Sequence, residues 1–128
     1  MKLSKAILCG MLISVPILAN AGDLKIANRT KFDLSFKVNN ICSDKFGLVL
    51  SDTIKVIAEK DFKHECEANP KVCRTIVYKR PNCEGGSIGE VGFDTNYGVS
   101  YISGSTSGEK ISITGNGFNL IFSAPLKA

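Results

Sequence analysis

The chain has no tryptophan and only one histidine among its 128 residues. The histidine, His64, precedes Glu65 and Cys66. Because adjacent residues do not face one another, and because Cys66 is expected in a disulfide, no nucleophile and base are paired there. The sequence therefore predicts no catalytic residue at this position, and we expect His64 on the surface of a short helix. The lack of tryptophan also makes an aromatic sugar-binding surface harder to build.

Long apolar runs are scarce as well. One run covers residues 6–18; Lys2 and Lys5 precede it, and Ala19-Asn20-Ala21 follows it. A basic start, an apolar centre and small residues at the end are the pattern of a secretory signal peptide. The run is shorter than the roughly 20 residues that a membrane-spanning helix needs. The sequence predicts a signal peptide over residues 1–21 and one β-rich domain over residues 22–128, secreted or periplasmic and not inserted in a membrane.

A strong charge of one sign is also missing. The chain has 16 basic and 12 acidic residues, a formal net charge of +4, and two of the basic residues belong to the predicted signal peptide. The remaining excess is too small to predict binding to nucleic acid or to an anionic membrane. We expect a monomer with no nucleic-acid partner and no cofactor.

Four cysteines remain after the predicted signal peptide: Cys42, Cys66, Cys73 and Cys83. An even number in an exported chain predicts disulfides, and the spacings lack the close pairs typical of zinc sites, so we expect no metal. An extended segment after Cys73 would carry Cys83 too far away to pair with it. Asn69-Pro70 reverses the chain between Cys66 and Cys73. The sequence predicts the pairs Cys66–Cys73 and Cys42–Cys83.

Alternation of apolar and polar residues is clearest in one segment. There Phe32, Leu34, Phe36 and Val38 alternate with Asp33, Ser35, Lys37 and Asn39. This period of two predicts a strand with the first set buried and the second, including Ser35, in solvent. Asn39-Asn40 ends the strand. Further strands are predicted at residues 24–27, 46–50, 53–57, 72–79, 88–93 and 99–103, with a hairpin of 110–114 and 118–123 around 115–117, and a polar loop at 104–108.

Only residues 59–68 have helical composition, and Asn69-Pro70 ends that segment. About eight short strands with frequent turns predict an all-β, mostly antiparallel fold, a small sandwich or barrel with one short helix and stapled by disulfides.

Gly89 and Gly92 inside one strand predict a bulge or a close backbone contact. Asn28-Arg29-Thr30 reads as a turn and also matches an N-glycosylation sequon.

A combination of residues resembles a known group. The residues are Cys66, Asn69-Pro70, Cys73, Val77-Tyr78, Asn82-Cys83, Phe93-Asp94 and Gly98-Val99. Their arrangement resembles that of small secreted β-proteins of Legionella-like intracellular gammaproteobacteria. The resemblance covers residues 28–122 and rests on cysteines and strands. It implies a bacterial exported protein, passed on by a type II secretion route, with unknown activity, and it implies no site residues.

A basic segment is the first candidate binding region. Four basic residues fall within ten positions: Lys71, Arg74, Lys79 and Arg80. In a strand, Arg74 and Arg80 share one face and Lys79 lies on the other. A solvated sheet face explains this pattern, and the alternative is a docking patch for an anionic partner such as a glycan, a lipopolysaccharide or an acidic protein.

A polar and aromatic segment is the second candidate. Asp94, Asn96, Tyr97 and Tyr101 together carry the groups of a sugar-binding platform. Asp94 to Gly98 also begins like a calcium loop, but the match fails after two ligands, so we expect a turn between two strands. Packing of both tyrosines into the core or against a hairpin is the alternative to sugar binding.

The leading hypothesis is an exported, non-enzymatic protein that binds an unidentified protein or glycan. One alternative is a secreted hydrolase using Glu90 and Asp94. Strand geometry places those two carboxylates about 13 Å apart, farther than the roughly 5–9.5 Å found in glycosidases. The other alternative is a protease inhibitor that presents Lys71 on a disulfide-closed loop.

Overall fold

The computed structural model describes residues 22–104 and 111–124. The predicted signal peptide and most of the predicted polar loop lie outside these residues. Nine strands, an α-helix and a short 3-10 turn fall within them. They are β1 (Leu24–Arg29), β2 (Ser35–Val38), β3 (Ile41–Cys42), β4 (Thr53–Ile57), α1 (Glu59–Glu65), β5 (Cys73–Tyr78), the turn Pro81–Cys83, β6 (Ser87–Asp94), β7 (Gly98–Ser103), β8 (Ser112–Asn116) and β9 (Asn119–Ser123).

The strands form two sheets, one with the order β4-β1-β9-β8 and the other with the order β3-β2-β5-β6-β7. Strand β9 runs parallel to β1, and all the other pairs are antiparallel. The all-β, mostly antiparallel class with one short helix is confirmed. Between the two predicted architectures, the structure is a sandwich and the sheets do not close into a barrel.

Phenylalanine rings join the two sheets and the helix in one core. The rings of Phe36 in β2 and Phe122 in β9 meet edge to face, 5.9 Å apart. Phe62 from α1 packs against Phe93 in β6 at 5.3 Å and against Phe118 at 6.2 Å. The helix therefore packs on the core through Phe62, which is fully buried. Among the described residues no helix is long and apolar enough to cross a bilayer.

The predicted strand at residues 46–50 is wrong. Within that segment only Val49 forms a bridge, to Leu34, while the unpredicted short strand β3 pairs with β2. The left-handed backbone of Gly47, with φ of 61°, interrupts an extended path. Phe46 is nevertheless fully buried, which explains the apolar run without a strand.

The expected exposure of Ser35 is also wrong. Leu34, Phe36 and Val38 are buried as predicted, but Ser35 is only 4% exposed. Its hydroxyl donates to the carbonyl of Arg80 at 2.5 Å and accepts the amide N–H of Cys83 at 2.8 Å. The 3-10 turn folds over the outer face of β2 there, so alternation along one strand could not show that this face is covered.

Asn28 is part of β1 and not of a turn. It is 1% exposed, and its amide donates to the carbonyls of Phe32 at 2.7 Å and Val49 at 3.0 Å. Its side-chain oxygen accepts the N–H and the hydroxyl of Thr30. The sequon residues thus hold a loop junction together, and Asn28 is not presented to solvent as a glycosylation site.

Two disulfides fasten opposite ends of β5, and they are the pairs that the sequence predicts. Cys66 and Cys73 are joined with Cα atoms 5.3 Å apart, and the loop between them is exposed. Cys42 and Cys83 are joined with Cα atoms 5.9 Å apart. The first bond ties the end of α1 to the start of β5, and the second ties β3 to the turn that follows β5.

Candidate ligand-binding site

Three polar side chains form a network across three neighbouring strands. Arg74 in β5 places Nε 3.0 Å from one carboxylate oxygen of Glu90 in β6. Tyr101 in β7 donates its hydroxyl to the other oxygen at 2.5 Å. Gly92 pairs with both Arg74 and Tyr101, and Glu90 lies two residues away on the same face. Side chains in such diagonal positions are within reach of one another, so the sheet register assembles the network.

The two glycines predicted to mark a bulge or a close contact do both. The register between β5 and β6 passes over Ile88, next to Gly89. A Cβ at Gly89 would come within 2.4 Å of Ile113 Cδ1, and a Cβ at Gly92 within 1.9 Å of Tyr101 Cε2. The Tyr101 ring therefore lies over the bare backbone of Gly92, while Tyr101 itself remains 36% exposed.

The network also sets the charges of its members. The pKa of Glu90 is lowered, mainly by the hydrogen bond from Tyr101 and further by Arg74, although partial burial opposes the shift. The pKa of Tyr101 is raised, first by partial burial and then by the bond to Glu90. At neutral pH Glu90 is therefore a carboxylate that compensates Arg74, and Tyr101 is a neutral donor.

A pocket of about 410 Å³ opens beside this network, lined by Asn39, Asn40, Asn69, Val72, Arg74 and Tyr101. Asn39 and Asn40 form the reversal between β2 and β3 in left-handed conformations, with φ of 49° and 71°. The N–H of Asn39 donates to the carbonyl of Arg74 at 2.9 Å, which fixes the reversal against β5. Asn69 comes from the disulfide-closed loop, so three separate segments meet in the pocket.

A second depression, of about 240 Å³, lies on the other side of the ion pair. Its lining consists of Arg74, Ile76, Ser87, Gly89, Glu90, Ser103 and Gly104. Arg74 contributes to both hollows. The Arg74–Glu90 pair therefore separates two hollows on the outer face of the five-stranded sheet.

The turn after β6 adjoins the pocket without lining it. The Asp94 carboxylate accepts the N–H of Asn96 at 2.8 Å, as expected for a turn, and Tyr97 is 77% exposed. The N–H of Thr95 donates to the carbonyl of Pro70 at 2.8 Å, which docks the turn on the disulfide loop. Of the predicted platform residues, only Tyr101 lines the pocket.

The predicted basic patch is not assembled either. Lys71 is exposed in the disulfide loop, near the end of β5 that carries Arg74. Arg80 lies past the other end of β5, beside Gly85. A Cβ added to Gly85 would be 3.2 Å from Cδ of Arg80. The ammonium of Lys79 sits over the ring of Phe32, 5.4 Å from its centre. Arg74 is thus the basic residue of this segment that contributes to the network.

Sequence reasoning missed five residues of the site, among them Val72, which was assigned only to a predicted strand. Asn39 and Asn40 were interpreted only as the end of a strand, and Asn69 only as part of a chain reversal. Glu90 was considered as a hydrolase carboxylate and not as the centre of a hydrogen-bonded network. Local signals existed for each position, but their meeting in one place depends on strand pairing.

The side chains that the sequence offered for catalysis are engaged by their neighbours. The lowered pKa of Glu90 makes it a poor general acid, because that role needs a raised pKa. Asp94 accepts a hydrogen bond within its own turn, and His64 pairs with Glu67 at 3.0 Å on the helix surface. Among the described residues no group of three histidines, cysteines or carboxylates could hold a metal ion.

The fold, a two-sheet β-sandwich with two disulfides, can be compared with the folds of known proteins. No family profile and no curated protein matches the sequence. A solved structure with a similar fold is the crystal structure of the Legionella pneumophila type II secretion system substrate NttC, with a TM-score of 0.66 and 16% sequence identity. The match covers 84% of this chain and 100% of that chain. What the two proteins share is therefore the fold.

Proposed function

We propose that this protein is an exported, non-enzymatic binding protein whose ligand occupies the pocket on the outer face of the five-stranded sheet. The observation that carries this proposal is the Arg74–Glu90–Tyr101 network at the wall of the pocket. Ordered polar groups around an exposed ring lower the entropy cost of binding. A pocket of about 410 Å³ has the volume typical of small-ligand sites.

Three observations support export. Residues 1–21 have the pattern of a signal peptide. The two disulfides are typical of proteins that fold in an oxidising compartment. The structural neighbour NttC is a type II secretion system substrate. We therefore propose that residues 22–128 are the mature domain and that they act in the periplasm or outside the cell.

Binding of the purified domain to intact cells tests the proposal. Fluorescently labelled residues 22–128 are titrated onto bacterial and eukaryotic cells, alongside the variants Tyr101→Ala and Tyr97→Ala. We expect saturable binding that Tyr101→Ala weakens by about tenfold or more, equivalent to about 1.4 kcal/mol. Tyr97→Ala is the matched control, because it removes an exposed tyrosine that does not line the pocket, and it should bind like the wild type.

The denaturation curve of each variant shows whether it folds. If Tyr101→Ala is too unstable, it is replaced by Tyr101→Phe, which keeps the ring and removes only the hydroxyl that bonds to Glu90. Binding that Tyr97→Ala weakens as much as Tyr101→Ala would place the ligand on the turn and contradict the proposed pocket. No saturable binding to any cell surface would contradict the function itself.

A further inference from the structure

We infer that the ligand of this pocket is an uncharged, hydroxyl-rich carbohydrate that packs on the ring of Tyr101 and hydrogen-bonds to Arg74 and to asparagine amides. The inference rests on the proposed binding function and specifies the chemical class of the ligand. Three features of the described residues carry it: the balance of charge, the position of the ring and the kind of polar groups.

The balance of charge disfavours an anionic ligand. Arg74 is the cationic residue that lines the pocket, and Glu90 already neutralises it with a carboxylate oxygen 3.0 Å from Nε. A ligand carboxylate or phosphate approaching Arg74 would also approach the negative oxygens of Glu90, and like charges at close range repel. A neutral ligand meets no such repulsion.

The Tyr101 ring is held in a position suited to packing against a sugar. Its hydroxyl is bonded to Glu90, and the ring lies over Gly92, where a side chain would collide with it. Both contacts restrict the side chain before a ligand arrives, so little rotamer freedom is lost on binding. An exposed aromatic ring offers apolar surface to the C–H groups of a sugar ring.

The polar groups of the pocket match the hydroxyls of a sugar better than they match a ligand that carries one charge. An asparagine amide offers both donors and an acceptor, and Asn39, Asn40 and Asn69 all line the pocket. The amide nitrogen of Asn39 donates to the carbonyl of Glu65 at 3.4 Å, so the amides of Asn40 and Asn69 supply the donors. A sugar hydroxyl also donates and accepts, whereas a carboxylate only accepts. Donors from Arg74, which Glu90 holds in place from behind the pocket, complete a set that can bind neighbouring hydroxyls of one sugar.

Matched pairs of neutral and acidic glycans test the inference directly. The purified domain is titrated by calorimetry with lactose and sialyllactose, and with oligomers of galactose and of galacturonate, after a glycan-array survey has identified further neutral and acidic pairs. We expect measurable binding to neutral members and at least about fivefold weaker binding to their acidic partners. Tyr101→Ala and Asn40→Gly should each weaken neutral binding by about tenfold, whereas Tyr97→Ala should leave it unchanged.

The variant Glu90→Gln removes the negative charge of Glu90 and keeps the shape of its side chain. It leaves Arg74 uncompensated, so we expect the preference for neutral over acidic glycans to fall by several-fold. Asn40→Gly is used because the left-handed backbone at this position suits glycine, so the variant removes the amide with little strain.

The outcomes distinguish the ligand class from the binding function. A preference of the wild type for acidic glycans overturns the inference. Tyr101-dependent binding to cells that protease treatment abolishes, with no binding to any glycan, also overturns it and leaves the proposed function standing with a protein partner. An absence of Tyr101-dependent binding to both cells and glycans removes the proposed function together with the inference.

Discussion

The ring of Tyr101 occupies the space in which a side chain at Gly92 would lie. A Cβ on Gly92 would be 1.9 Å from Cε2 of Tyr101, well inside contact distance. The glycine therefore allows the ring to lie down on the sheet, and from that position its hydroxyl bonds to Glu90. Gly92 thus determines the conformation of the aromatic residue in the pocket.

Gly92→Ala should displace the Tyr101 ring and break its bond to Glu90. We expect a loss in the free energy of unfolding smaller than the roughly 1–3 kcal/mol typical of added volume in a packed core, because Tyr101 is 36% exposed and its ring can move into solvent. The pKa of Tyr101 should return toward its ordinary value, because its burial and its bond to Glu90 both raise that pKa. Denaturation curves and the ultraviolet absorbance of the phenolate measure the two effects.

The matched control is Gly104→Ala, where an added Cβ would meet no atom of the described residues within 4 Å. It should change neither quantity. If Gly92→Ala leaves the pKa of Tyr101 unchanged, the ring does not depend on the glycine.

Glu90→Gln should change how stability depends on pH. The pKa of Glu90 is lowered from its ordinary value of 4.5, so the folded state favours the carboxylate. The stabilisation is present above the unfolded pKa and is lost as the pH falls through the folded pKa. We expect the wild type to lose more stability than Glu90→Gln between about pH 6 and pH 3. Urea denaturation across this range measures the difference, and parallel profiles would show that Glu90 gains nothing from its partners.

Phe36→Ala should cost about 3–5 kcal/mol, because the ring is fully buried and its removal leaves a cavity between the sheets. The free energy of unfolding from chemical denaturation measures it. Phe36 contacts Phe46 at 5.8 Å and Phe122 at 5.9 Å, and neither ring can fill the space without leaving its own site. A cost below about 1 kcal/mol would contradict this packing.

Ser35→Ala should also destabilise, although alternation along β2 predicts a small effect. The change leaves the N–H of Cys83 and the carbonyl of Arg80 without the partners that the hydroxyl supplies. Both bonds are partly buried, and a hydrogen bond of this kind contributes about 0.5–1.5 kcal/mol. Denaturation measures the loss, and Ser100→Ala, at an exposed position, is the control that should have almost no effect.

Asn28→Ala should destabilise the protein by at least about 1–3 kcal/mol. The substitution removes the donors to Phe32 and Val49 and the acceptor for Thr30, all in a buried place. Denaturation of the purified variant tests this. Expression in a eukaryotic host gives a second readout, because a chain that carries a glycan on Asn28 cannot bury this side chain and should not fold. A folded protein with a glycan at Asn28 would contradict the buried position.

The candidate site shows how far local sequence signals reach. The chain reversal at Asn69-Pro70 and the strand end at Asn39-Asn40 were identifiable, because both depend on residue types within a few positions. Their convergence on Arg74 was not, since it follows from the pairing of β2 with β5 and from the bond of Asn39 to Arg74. Neither contact is encoded in a local pattern.

The sequence by itself determined the all-β class, the short helix and the buried set of β2, because alternation, helical composition and chain-breaking residues act locally. Tertiary structure alone decided that Ser35 is covered and that Arg74, Glu90 and Tyr101 meet. The register passes over Ile88 between β5 and β6 and shifts again between β6 and β7. A shift of one residue moves side chains to the other face, so the neighbours of Glu90 follow from long-range pairing.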